Sequence, residues 1–385
     1  MSAGSNVLVT GATGSLGPAV LARLLRRGAV VVLLRPGDSG AERRLDHLVD
    51  EVEAEDPDAP VDRIAAVSGD LSVPGSGLAP EDRRGLAREV THVLHLAADT
   101  RFTLPLPAAR RANLDTTLEL LRLVESFDVL RGFGFASTLY VAGTRTGEIR
   151  EDDLADTEFV NTYERSKFEA ERALRVRMAD LPIAVFRVAT LLGSARTGEI
   201  RKPTAIHQAL RLYHRGLVPM IPGDPAQPVE MLDVEHAAEA LARLLMDGFA
   251  PGTTYHVTSG PSRTFTLTEL IEETHRGFQE LDPAWKARGI EPPPVVRPRT
   301  YALFERSVEE AADPAIATVV RTMSTFLPQL LYPKRFARDN LEGALPDWDP
   351  PPVRTYFRRV LAWGLRSQWG RHAEVARSRR TRALR

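Results

Sequence analysis

One short stretch near the start of the chain constrains its fold more than any other. The apolar run Val7–Val9 leads into Thr10-Gly11-Ala12-Thr13-Gly14-Ser15-Leu16-Gly17, and after Pro18 apolar residues recur at Val20, Leu21, Leu24 and Leu25. This reads as a strand, a glycine turn and a helix. Glycines at 11, 14 and 17 let the chain turn sharply and let a pyrophosphate approach the backbone. The helix start then offers free N–H groups and a positive dipole end to the phosphate. Pro18 sits near the first helical position, where its missing N–H costs little. Thr10, Gly11, Thr13, Gly14, Ser15, Leu16 and Gly17 are therefore candidate contacts to a dinucleotide, and a merely structural turn is the alternative reading.

The rest of the first 190 residues repeats this alternation. Apolar runs at Ala29–Leu34, Ile64–Val67, Val90–Leu96, Phe133–Ala136 and Ile183–Val188 are separated by helical patterns, notably Asn113–Glu125 and Tyr163–Met178. Short Val/Ile/Leu-rich strands between helices predict an α/β fold, a Rossmann-type doubly wound parallel sheet covered on both faces. We expect residues 1–190 to form the dinucleotide-binding domain, completed by about 229–259, where Val234–Asp247 reads as a helix and Thr254–Val257 as a strand. Residues 191–385 are expected to form a smaller, mostly helical substrate-binding part and a helical C-terminal extension. Prolines interrupt that half at Pro219, Pro222, Pro225 and Pro228 and again at Pro292–Pro294, and Thr266–Phe278 reads as a helix capped by Thr266 or Thr268.

The tip of the second strand bears on the choice of cofactor. An Asp or Glu there reads the 2′-hydroxyl of NAD. This chain has Leu34-Arg35 and no carboxylate until Asp38. Arg35 can face a 2′-phosphate, with Arg43 or Arg44 assisting, which points to NADP(H); otherwise Arg35 is a solvated strand-end charge. Asp70-Leu71, after the third strand, is placed to contact adenine, and a turn-forming Asp70 explains the residue equally well.

Only four lysines occur, at 167, 202, 286 and 334, so a lysine in a telling position carries weight. Tyr163 and Lys167 are four apart in a helical stretch and share one face. A phenol beside an ammonium can have its pKa lowered toward neutrality and serve as a general acid or base. Ser137-Thr138 ends the fifth strand and can lie beside Tyr163, where a hydroxyl would hydrogen-bond a substrate carbonyl; a turn cap is the other reading of Thr138.

Other signals exclude functions. There is no cysteine, which removes disulfides and thiolate chemistry, and the histidines lack metal-ligand spacing, so no metal is expected. Net charge is −1, which does not suggest a nucleic-acid binder. With neither a signal-like N-terminus nor a run of about 18 apolar residues, we expect a cytoplasmic protein. The tail is more suggestive. Val353–Trp369 mixes Tyr356, Phe357, Val360, Leu361, Trp363, Leu365 and Trp369 with arginines, and Arg371, Arg377, Arg379, Arg380, Arg382 and Arg385 follow. Such a basic aromatic helix can lie on an anionic membrane, dock an acidic carrier protein or grip a CoA phosphate, or simply pack on its own domain.

These residues together resemble an extended short-chain dehydrogenase/reductase over about residues 5–275. The matching motifs are the Gly11–Gly17 loop, Asp70-Leu71, Ala97-Ala98, Asn113, the Ser137-Thr138 strand end and Tyr163-Glu-Arg-Ser-Lys167. The resemblance implies that Thr138, Tyr163 and Lys167 are catalytic. It also implies that Asp70, Leu71, Ala97, Ala98, Asn113, Tyr163 and Lys167 join the glycine loop and Arg35 in holding NADP(H). Within that group, His95-Leu-Ala-Ala-Asp-Thr-Arg-Phe102, Ser137-Thr138-Leu-Tyr-Val141, Gly198-Glu199-Ile200 and the Phe326–Asn340 segment are similar to fatty acyl-CoA reductases and the thioester reductase domains of polyketide and peptide synthetases. The chain departs from that pattern at Arg187-Val188, where the family usually has Arg-Pro. The implied activity is NADPH-dependent reduction of an acyl thioester, on CoA or an acyl-carrier protein, to an aldehyde or alcohol. The alternatives are a ketone/alcohol oxidoreductase or epimerase of the same superfamily, and a non-catalytic NADP-sensing protein.

Overall fold

The structure is a computed structural model that describes residues 5–37, 40–311, 320, 323–324 and 327–369. Asp38, Phe326 and the arginines from Arg371 onward lie outside the described residues. In chain order the main elements are β1 (Ser5–Thr10), α1 (Gly17–Leu25), β2 (Gly28–Leu34), α2 (Gly40–Glu55), β3 (Ile64–Ser68), α3 (Pro80–Glu89), β4 (His92–His95), α4 (Thr116–Val124), β5 (Gly132–Thr138), α5 (Thr162–Arg175), β6 (Ile183–Val188), α6 (Ala205–His214), α7 (Val234–Met246), β7 (Thr254–Val257), α8 (Leu267–Leu281) and α9 (Phe357–Arg366). The seven strands form one parallel sheet in the order β3-β2-β1-β4-β5-β6-β7.

The sheet is buried on both faces, and the two-residue period of a strand sorts its side chains between them. Val7 and Val9 pack with α1, α2 and α7, while Leu8 points to the opposite layer of α3, α4 and α5. All six residues of β6 are buried. The strand order reverses between β1 and β4, where Thr10 is in register with His95. In open α/β sheets, ligands bind at the carboxyl ends of the strands beside such a reversal. The glycine loop and Thr138 both lie at that end.

The second half packs a separate apolar cluster from α6, α8, the short helix Pro283–Ala287 and α9, including Tyr213, Ile271, Phe278, Trp285, Phe357, Val360 and Leu361. Thr266 caps α8 reciprocally with Glu269. Of the readings given for Val353–Trp369, the structure shows packing on its own domain. Its apolar side is spent on this cluster, Arg354 pairs with Glu269 at 3.4 Å, Arg358 pairs with Glu280, and Arg359 donates to the Ala195 carbonyl at 2.9 Å. No helix among the described residues is long and apolar enough to cross a membrane.

Nor is the extension helical throughout, because Lys334–Phe336 forms a parallel pair with Gly147–Ile149. Just beyond it, the buried Glu151 carboxylate accepts N–H groups from His256 on β7 and from Asn340 and Leu341. The late chain is thereby tied back to the sheet edge.

Candidate active site

The glycine loop has the form that a phosphate cradle requires. Gly11 sits at φ 74°, and a Cβ there would stand 2.5 Å from the Ala97 nitrogen. A Cβ at Gly14 would come within 2.9 Å of the Gly11 carbonyl oxygen, and one at Gly17 would overlap the Ala12 carbonyl. The loop must therefore be bare if backbone is to face a ligand. No side chain caps the N-terminus of α1 and no acidic residue lies in its first turn, so its positive end is available to an anion. Thr10 lies behind the loop, buried, with its hydroxyl 2.6 Å from His95 Nδ1.

Two connected cavities run along the strand ends. The first is lined by Thr10, Gly11, Thr13 and Gly14 of the loop, Arg35, Arg44, Asp70, Leu71, Ala97, Ala98 and Asp99. Arg44 also holds the Arg35 carbonyl oxygen at 2.5 Å, while Arg43 is exposed and does not line the cavity. Asp70 doubles as a turn residue, accepting the Ser72 N–H at 2.8 Å. The second, of about 260 Å³, is lined by Ser15, Leu16 and Gly17 on one side and Ser137, Thr138, Tyr163 and Lys167 on the other. It continues past Phe102, Tyr140, Thr190 and Ile206 into an apolar pocket walled by Leu210, Val229, Met231, Leu267, Ile271 and Leu327.

The catalytic candidates meet where β5 and α5 face each other. Asn161 caps α5 by accepting the Glu164 N–H, which sets Tyr163 and Lys167 one turn apart on the cleft side. The Thr138 hydroxyl faces the Tyr163 phenol, and Phe102 stacks on the Tyr163 ring at 5.6 Å between centroids. Lys167 is buried; its Nζ donates to the Ala136 carbonyl at 2.8 Å and lies 3.9 Å from the centre of the Phe135 ring. Burial pushes the Lys167 ammonium down to about 7, opposed by the Glu171 carboxylate. Burial also raises the Tyr163 pKa, with the Thr138 contact pulling the other way. Burial thus works against the lowering of the phenol pKa that the Tyr163/Lys167 spacing allows. Both groups are dry, and the lysine is tethered to backbone, so Tyr163 is held as a neutral phenol, the form a proton donor needs.

Two buried networks hold this geometry. Asn113 lies in a π-helical turn, Arg111–Asp115, and its amide joins the Asp99 backbone to the Ser166 hydroxyl of α5 at 2.8 to 3.0 Å. It braces the cleft wall from behind and does not line it. His95 sits between Thr10 and Thr117, whose own proton goes to the Asn113 carbonyl, so Nε2 of His95 is the donor and Nδ1 the acceptor. Burial, reinforced by Lys167, drives the His95 pKa down to about 3, which suits a neutral core histidine. Below α5, Glu171 and Arg187 form an ion pair at 2.8 Å with side chains only 2% and 1% exposed. Ser137 donates to Glu171 at 2.5 Å, which leaves Thr138 as the hydroxyl facing the cleft. Arg187, which keeps the arginine of the family's Arg-Pro pair while Val188 replaces the proline, is therefore a structural cation paired with α5.

Residues 9–241 match the family model described as male sterility protein. The chain belongs to that family. It is the NAD-binding, thioester reductase-like branch of the extended short-chain dehydrogenases/reductases, and its members act with a nicotinamide cofactor. The chain is 28% identical over 282 residues to a component of the linear gramicidin synthase of Brevibacillus parabrevis, covering 71% of this chain and 5% of that one. It is 35% identical over 147 residues to fatty acyl-CoA reductase 1 of Xenopus laevis, covering 36% of this chain and 28% of that one. The chain thus spans a small part of the curated relatives it matches. The reductase domain of a non-ribosomal peptide synthetase from Mycobacterium tuberculosis superposes with a TM-score of 0.65 at 25% identity, covering 94% of this chain and 91% of that one. The terminal reductase domain of the myxalamid pathway gives 0.76 at 22% identity over 96% and 92%, a likeness of fold.

Seen as a male sterility family member, the chain has site residues that motif reading passed over. Glu171 follows Lys167 by one further helical turn, so its spacing alone points to the same face. Glu164 is fully buried, its carboxyl pushed up to about 7 by burial, and it accepts hydrogen bonds from Asn161 at 2.7 Å and from Gln329 of the late chain. Lys202 reaches across the glycine loop to the Thr13 carbonyl at 3.1 Å. Its rarity among lysines was the only sign of it in the sequence.

Proposed function

We propose that the protein reduces an acyl thioester to an aldehyde with NADPH, with Tyr163 supplying the proton. The observation that carries this reading is the continuity of the cleft. Thr138, Tyr163 and Lys167 stand where a dinucleotide cavity opens into an apolar pocket, so an acyl chain in the pocket presents its carbonyl to the hydroxyls. NADPH is favoured over NADH because Arg35 and Arg44 flank the adenosine end of the cavity and no carboxylate follows β2 before residue 38.

When bound, the reduced nicotinamide supplies a hydride to the thioester carbon. Thr138 hydrogen-bonds the carbonyl oxygen and stabilises the charge that develops there. Tyr163, held as a neutral phenol, protonates that oxygen and completes a hemithioacetal. Lys167 orients the nicotinamide ribose and, as an ammonium, supports the tyrosine once its proton has left. Collapse of the hemithioacetal breaks the C–S bond and returns one aldehyde and one thiol, and a second hydride on the aldehyde would give the alcohol. No covalent acyl-enzyme is needed, in keeping with a chain that has no cysteine. CoA, which the name of one relative carries, and an acyl-carrier protein are the two thioester carriers the proposal includes.

The test is NADPH oxidation against a panel of acyl-CoA and acyl-carrier-protein substrates, with free thiol titrated in parallel. Thiol release matching NADPH loss, and absent with Tyr163→Phe, supports the reading. NADPH oxidation by ketones or aldehydes with no thiol released from any thioester replaces it with carbonyl reduction.

A further inference from the structure

The two halves of the dinucleotide cavity share a seam made of Gly11, Gly14, Leu96, Ala98, Thr100 and Lys202. The adenosine half lies to one side of this seam and the nicotinamide half to the other. A dinucleotide spanning both must therefore lay its pyrophosphate along the seam, beside the glycine loop. Of the six seam residues Lys202 alone carries a charge.

Lys202 does not come from the glycine loop or from any strand of the sheet. It sits on a strap, residues 194–204, that crosses from the substrate-binding half. The strap is pinned along its length. At one end Ser194 and the Ala195 N–H hold Glu235 at the start of α7. At Gly198 the backbone lies against that of Arg359, too close for any side chain. Arg201 pairs with Glu51 and, at 3.5 Å, with Glu55 on α2. At the other end Thr204 and His207 cap α6 reciprocally, and His207 is bonded to the Leu192 carbonyl at 2.9 Å. The backbone of residue 202 is thus fixed between two anchors, while its exposed four-carbon stem brings Nζ to the Thr13 carbonyl at 3.1 Å.

We infer that Lys202 is a cofactor-binding residue: its ammonium closes over the pyrophosphate from the substrate side, opposite the N–H groups of the glycine loop. An ammonium is a compact point charge that suits a pyrophosphate, and its hydrogen bonds to phosphate oxygens are charge-assisted. At the Thr13 carbonyl, Nζ already stands beside the glycine loop along which the pyrophosphate would lie. The consequence is that the substrate-binding half grips the cofactor directly, and dinucleotide binding fastens the strap across the mouth of the cleft.

This inference rests on the cleft holding a nicotinamide dinucleotide, so the test is a binding titration that needs no acyl substrate. NADPH and NADH are titrated by nicotinamide fluorescence into the wild-type chain, Lys202→Met and Lys202→Arg, with 2′-AMP, which lacks a pyrophosphate, as a competing probe. Loss of one charge-assisted contact predicts about 10- to 100-fold weaker binding of both dinucleotides to Lys202→Met. It also predicts an unchanged NADPH-to-NADH ratio, unchanged 2′-AMP affinity and substantial recovery in Lys202→Arg. The thermal midpoint of Lys202→Met should match wild type, which separates a lost contact from a lost fold. Undiminished affinity of Lys202→Met for both dinucleotides overturns the inference and leaves thioester reduction standing. A loss confined to NADPH also overturns it, by moving the contact to the 2′-phosphate. Failure of the wild-type chain to bind either dinucleotide overturns it together with the proposed function.

Discussion

The buried pair Glu171–Arg187 lies beneath the catalytic helix and offers a quantitative test of how the site is held. Glu171 accepts from Arg187 and Ser137, while Arg187 also reaches the Asp152 carbonyl at 3.0 Å. Glu171→Gln leaves the guanidinium buried without its counter-charge. Breaking a buried pair from one side costs about 3–5 kcal/mol, most of it the stranded charge. Arg187→Met should cost less, because Glu171 keeps Ser137 and has Arg175 at 3.9 Å. The double variant Glu171→Gln/Arg187→Met removes both charges and should recover part of the loss, giving a coupling energy of about 2 kcal/mol or more. Urea unfolding followed by tryptophan fluorescence measures all three. Additive losses, or single losses below about 1 kcal/mol, would refute the claim that the charges hold each other. A second readout belongs to the site. Glu171 is the group that holds the Lys167 pKa up, so Glu171→Gln must lower it further below about 7. The lysine then loses its proton at lower pH, and the alkaline limb of the turnover profile moves to lower pH. A structural role alone would leave that limb where it was.

Further predictions concern the cofactor, the chemistry and the core. Tyr163→Phe should lower turnover by about 10²- to 10⁴-fold when NADPH oxidation is followed at saturating cofactor. Arg35→Ala with Arg44→Ala should weaken NADPH by about 10-fold or more and leave NADH nearly unaffected, which two fluorescence titrations would decide. His95 is held neutral down to about pH 3, whereas an unfolded histidine takes up its proton near 6.5, so its share of stability is intact above 6.5 and is lost as pH falls toward 3. His95→Gln should therefore flatten the stability curve in that window by about 1.4 kcal/mol per pH unit relative to wild type. An unchanged slope in paired urea titrations at pH 6.5 and 5 would contradict it.

Much of the sheet was legible because its strands are short, apolar and punctuated. Ile183–Val188 and Thr254–Val257 have the bounds read from sequence, and the other five strands agree to within two residues at each end. The helix read as Asn113–Glu125 begins as a π-helical turn, because Asn113 must turn inward to bind both Asp99 and Ser166. No local periodicity encodes that demand. The pairing of Lys334–Phe336 with Gly147–Ile149 was invisible for a similar reason, since three-residue strands carry no period and their partners lie far apart in sequence. The site divided along the same line. Glycine spacing and the Tyr163/Lys167 interval are local and were readable. The direction of the Tyr163 shift depends on how dry the cleft is, and the reach of Lys202 depends on where a strap from the other half crosses.

The Glu151 clamp bears on where this fold can change. The family match ends at residue 241, yet Gln329 reaches the carboxylate beside Tyr163 and Asn340 is fastened to the edge of the sheet. One wall of the apolar pocket, from Leu267 to Leu330, thus lies on chain that leaves the sheet after β7 and is moored to it again near 340, while Leu210, Val229 and Met231 come from before β7. A segment moored at both ends can be lengthened, shortened or replaced between its moorings, provided the Gln329 contact to Glu164 on α5 is kept. Pocket shape and reaction chemistry can then diverge at different rates, and grafts between relatives should exchange the span between the moorings as one piece.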